Sequence, residues 1–91
     1  MKTRIDHAIR QGGIWRNPIL GTGAFIQTSV DGNRVHMTVG DADDESKIRV
    51  GRLIRLERSP YRKGWAGAVM LVGADKYANV ALPVDGWRKV D

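Results

Sequence analysis

The sequence predicts a small, mainly β domain: an antiparallel barrel or sandwich of about five short strands, preceded by a short N-terminal helix. Three observations carry this reading. Segments rich in β-branched and aromatic residues recur at short intervals, glycine and Asp-Gly turn signals separate them, and several alternate apolar with polar side chains. With 91 residues the chain fits one domain spanning residues 1–91, because two cores would each bury too little apolar surface to offset chain entropy.

Taken in order, residues 3 to 11 place Ile5, Ala8 and Ile9 at helical spacing, and Gly12-Gly13 follows where a left-handed cap ends a helix. Pro18 and Gly21-Thr22-Gly23 punctuate the chain before a strand from Ala24 to Val30. Asp31-Gly32-Asn33 is a tight turn, beyond which Val35, Met37 and Val39 alternate with Arg34, His36 and Thr38, so the two strands form a hairpin. The acidic stretch Asp41 to Ser46 reads as a loop. A third strand follows, with Ile48, Val50, Ile54 and Leu56 on one parity, Arg49 and Arg55 on the other, and a bulge or bend at Gly51-Arg52. A helix over Lys47 to Arg58 competes on its three-residue arginine spacing, but Gly51 and the β-branched Ile48, Val50 and Ile54 favour a strand. Ser59 to Trp65 is a polar loop, Ala66 to Val72 a central strand apolar on both faces, and Tyr77 to Leu82 a fifth strand ended by Pro83 and Asp85-Gly86.

Fifteen Lys and Arg against ten Asp and Glu give a net charge of +5, and the bias toward arginine suits planar, bidentate partners such as phosphate. The charge is unevenly placed. Arg49, Arg52, Arg55, Arg58, Arg62 and Lys63 crowd one segment whose counter-charge is Glu57, while Asp41, Asp43, Asp44 and Glu45 cluster just before it. Cysteine is absent, so neither a disulfide nor a thiolate metal site is expected. Met1 to Arg10 lacks the continuous apolar stretch of a secretory signal and no apolar run reaches membrane-spanning length, so a cytoplasmic protein without a membrane partner is expected.

Gly51, the alternating Ile54 and Leu56, the turn Ser59-Pro60-Tyr61-Arg62-Lys63-Gly64, then Gly67-Ala68-Val69, Val72, Asp75, Val80 and Leu82 form a pattern. It resembles the KOW motif, a hairpin unit of SH3-like barrels in ribosomal proteins and transcription elongation factors. The resemblance covers residues 50–83 and implies an SH3-like small barrel whose basic turn faces RNA, the ribosome or the transcription machinery. Arg52 stands where that family carries an acidic residue.

The segment interleaving these cations with Tyr61 and followed by Trp65 is suited to holding phosphates while an aromatic face stacks on a base. Arg49, Arg55, Arg58, Tyr61, Arg62, Lys63 and Trp65 are therefore the expected nucleic-acid-binding residues, with RNA or DNA as the partner. No enzyme, cofactor or metal is expected. Asp41, Asp43 and Glu45 start a calcium-loop pattern, but Ser46 replaces its sharp-turn glycine and Arg52 its bidentate glutamate. Neither His7 nor His36 has a serine, cysteine or carboxylate at a spacing that matches a nucleophile with its base. Gly21-Thr22-Gly23 lacks the third glycine of a dinucleotide fingerprint, Ile26 occupying its place. The alternative reading is a protein-interaction or self-assembling component of a phage or mobile element, with open strands and an exposed Trp joining copies into a homo-oligomer. Of the three tryptophans, Trp65 has the best claim to an interface, Trp87 to plugging a barrel end, and Trp15 is left open.

Overall fold

The computed structural model describes residues 3–59 and 62–90. Helix α1 (Ile5–Gln11) is followed by β1 (Gly13–Arg16), a 3-10 turn (Pro18–Leu20), β2 (Ala24–Asp31), β3 (Arg34–Asp41), β4 (Asp44–Arg58), β5 (Trp65–Gly73), β6 (Lys76–Pro83) and β7 (Arg88–Val90). The strands form one antiparallel sheet in the order β6-β5-β4-β3-β2-β1-β7. The mainly β class and the N-terminal helix are as expected, and residues 47–58 are strand throughout, as favoured over the competing helix. Two strands go beyond the five read from sequence. β1 and β7 span four and three residues, too few for an alternation to show, and they form only by pairing with each other and with β2.

The sheet curls without closing. Val80 and Leu82 at one edge line the same cavity as Ala24 and Val39 from β2 and β3, which only a rolled sheet permits. Inside the roll, Ile5, Ala8 and Ile9 of α1 pack with Trp15, Ile26, Met37, Ala68, Met70, Leu82 and Trp87. The helix ends where Gly12 takes a φ of 77° and its N–H reaches the Ala8 carbonyl. Every buried side-chain nitrogen and oxygen among the described residues is partnered. The Thr28 hydroxyl donates to the Ile9 carbonyl at 3.0 Å, the Trp87 indole to Pro83 at 2.8 Å, and Asn17 Nδ2 to Asp85 at 2.8 Å. Backbone bonds from Ile5 to Val84 and between Thr3 and Trp87 fasten the N-terminal segment across the chain's last turn. Trp15 and Trp87 are thus core, Trp87 at 0 % exposure.

The acidic stretch departs from the expected loop. The chain turns at Ala42 and Asp43 and is strand again at Asp44. Asp41 Oδ1 accepts from the Asp43 N–H and Asp44 Oδ1 from the Ser46 N–H and hydroxyl, so carboxylates satisfy the turn's own donors and shorten it. The same two bonds from Ser46 hold the Asp44 carboxyl below its ordinary pKa.

β4 is the element that shapes the sheet. Its first part pairs with β3 and its last with β5, and Arg52 is the residue paired to both, opposite His36 and Leu71. The strand therefore bends as it passes from one half of the roll to the other. Gly51 lets this happen: a Cβ there would collide with the Leu71 carbonyl oxygen. The bend is at Gly51-Arg52 as expected, but the register slips later, between Leu53 and Arg55. That bulge inverts the parity read from sequence. Leu53 and Leu56 both pack against the core although they lie three apart, whereas Val50, opposite Thr38, faces outward at 60 % exposure.

Gly51→Ala is expected to lower the unfolding free energy by about 1–3 kcal/mol in urea denaturation, since neighbouring backbone must shift to admit the methyl. Gly73→Ala, whose Cβ meets Lys76 at 3.7 Å, is expected to change it by less than about 0.5 kcal/mol.

Candidate functional site

The C-terminal end of β4, the loop to β5 and the start of α1 enclose an open cleft of about 680 Å³. Its floor is apolar, formed by Ile5, Leu56, Ala66 and Val84, and its rim carries Arg4, Arg58, Arg62 and Lys63 around Trp65. The rim is fixed by backbone. Gly64 adopts a φ of 83°, open to glycine at little cost, and bonds from Ser59 to Trp65, Trp65 to Arg62 and Val84 to Gly64 close the turn against β6.

Trp65 is half-buried at the start of β5, and the Arg62 guanidinium lies 3.9 Å from its ring centroid. Such a stack is worth about 0.5–1 kcal/mol at an exposed site, enough to order the arginine and weak enough for a competing planar group to displace it. The cleft also holds Asp6, Glu57 and Asp85. Two of these have cationic partners: Arg4 lies 3.6 Å from Asp6 and Arg55 2.6 Å from Glu57. Among the described residues, Arg58, Arg62 and Lys63 form no ion pair.

Of the residues expected from sequence, Arg58, Arg62, Lys63 and Trp65 are brought together here. Tyr61 lies outside the described residues. Arg49 and Arg55 do not join them, and they do not share a side of β4. Arg49 is opposite Val39, on the core parity, and its Nη1 folds back onto the Ser46 and Ile48 carbonyls at 3.0 Å. Arg55, past the bulge, is opposite Val69 on the other face and bound to Glu57. A single continuous track of arginines along the strand is therefore replaced by a cluster at its end.

Arg4 was not anticipated. It joins Arg58 and Lys63 only because Ile5 bonds to Val84 and swings the N-terminal segment beside the loop. No local pattern signals this. Among the described residues no group of three or more His, Asp or Glu side chains is placed to hold a metal ion, and no helix is long and apolar enough to cross a membrane. Compared with family models, curated proteins and solved structures, the chain has no match.

With Trp15 and Trp87 buried, acrylamide is expected to quench one tryptophan of the three, and Trp65→Phe should remove that accessible fraction. Arg62→Ala should raise the quenching constant by uncovering one ring face.

Proposed function

We propose that this domain is a non-enzymatic module that binds single-stranded RNA or DNA in the cleft around Trp65, without reading base sequence. The observation that carries the reading is the grouping of Arg58, Arg62 and Lys63, none in an ion pair among the described residues, about a half-buried tryptophan above an apolar floor. Cations neutralise phosphates, and an indole face accepts an unstacked base of any identity. The cleft falls within the ~300–1,000 Å³ of sites that enclose small ligands, which suits one or two nucleotides of a flexible strand better than a rigid duplex. Resemblance of residues 50–83 to the KOW unit, whose basic turn commonly faces RNA or a nucleoprotein machine, adds to this reading and extends the partner to ribosomal or transcription complexes. A net charge of +5 supplies long-range attraction to any polyanion.

Titration of a short labelled oligonucleotide against salt provides the test. With three cations engaging phosphates, log K should fall with log salt at a slope of roughly −2 for a single strand. Arg58→Ala or Lys63→Ala should each reduce that slope by about 1 or a little less, and Trp65→Ala should weaken binding by ~1–3 kcal/mol at every base composition. Arg49→Ala should leave both unchanged, whereas Arg55→Ala, which frees the Glu57 carboxylate in the cleft, should weaken binding. Absence of binding at low salt rejects the proposal.

A further inference from the structure

We propose that the free edge of β6 is a docking edge for β6 of a second copy of this chain, joining two sheets into one across a two-fold axis. The inference stands apart from the cleft and does not depend on it.

The open sheet has two edges, and they are built differently. β7 is three residues long and two of them are Arg88 and Lys89. Brevity and charge are how edge strands avoid pairing with strangers. β6 spans eight residues, and between Lys76 and Pro83 it holds no charge and no proline. Its register against β5 is regular from Tyr77 to Pro83, so no bulge turns the edge aside. In an antiparallel pair, alternate residues exchange both backbone bonds with the neighbour, which turns the N–H and C=O of the others outward. Among the described residues, no backbone bond outside the sheet ladder engages residues 76–82. Tyr77 stands 63 % exposed beside them.

Charge and closure point to a second copy as the occupant. At +5 most of this surface repels its like, and β6 is a long neutral stretch in it. An axis through Asn79 sets Ala78 across from Val80 of the second copy, Tyr77 from Ala81, and Lys76 from Leu82, so no like charges meet. The register also keeps Ala78, Val80 and Leu82 on one continuous face and Tyr77, Asn79 and Ala81 on the other. Pairing uses up the long edge of both copies and leaves two short, cationic β7 edges, so assembly closes at two. Pairing β6 with β7 instead would engage only three residues and propagate.

Light scattering of the full chain at rising concentration should approach twice the 10.1 kDa chain mass. Asn79→Lys sets two ammonium groups opposite each other at the axis and should raise the dimer Kd on the order of fivefold or more, with circular dichroism unchanged. The chain has no cysteine, so Asn79→Cys carries a single thiol per copy. Oxidation should link it into a covalent dimer, because the axis brings the two positions within disulfide reach, whereas Ser29→Cys on β2 should not link. A mass that stays at one chain overturns the proposal and leaves the edge to a strand of another protein. A dimer that ignores Asn79→Lys, or that does not cross-link through Asn79→Cys, overturns it equally.

Discussion

The Leu71 carbonyl oxygen occupies the space where a side chain at position 51 would begin, and the course of β4 follows from that contact. Because Gly51 has no Cβ, the backbones of β4 and β5 approach closely just where β4 leaves β3, and one 15-residue strand serves both halves of the rolled sheet. In a regular strand, Arg49 and Arg55 would share one side. Bent and bulged, β4 turns Arg49 and Arg55 to different faces and delivers Arg58 to the rim of a cleft that α1 and the β4–β5 loop complete.

Stability and binding draw on separate parts of the molecule. Two buried tryptophans and the apolar face of α1 hold the roll together, and the indole N–H groups of Trp15 and Trp87 end on the Gly12 and Pro83 carbonyls. Ion pairs add little: the two among the described residues are both exposed, and such pairs are typically worth under about 1 kcal/mol. Their effect is instead to neutralise Asp6 and Glu57, which lets Arg58, Arg62 and Lys63 set the sign of the cleft. Asp85 is the remaining counter-charge on its rim.

Much of the fold was legible because its signals are local. Alternation at Val35, Met37 and Val39, the Asp-Gly turn at residue 31 and the helical spacing of Ile5, Ala8 and Ile9 each declare an element within a few residues. What depends on distant partners was not legible. β1 and β7 exist through each other, Arg4 reaches the cleft through Val84, and the face on which Arg49 or Arg55 lies is decided by a slip in register that alternation alone does not disclose. Charge density is visible in sequence while facing is not, so crowded cations predict a strand-long surface that the register slip breaks up. Arg62, Lys63 and Trp65 stay together because they are near neighbours in the chain and are held by one glycine-stabilised turn.

Amide chemical-shift mapping with a short single-stranded oligonucleotide distinguishes a binding surface at the end of β4 from one spread along it. The largest shifts are expected on Arg62 to Ala66, on Val84 and on the Trp65 indole N–H, with Trp15 and Trp87 unmoved. Shifts centred on Arg49, Val50 and Arg55, or spread evenly over the surface, would contradict placement at the strand's end.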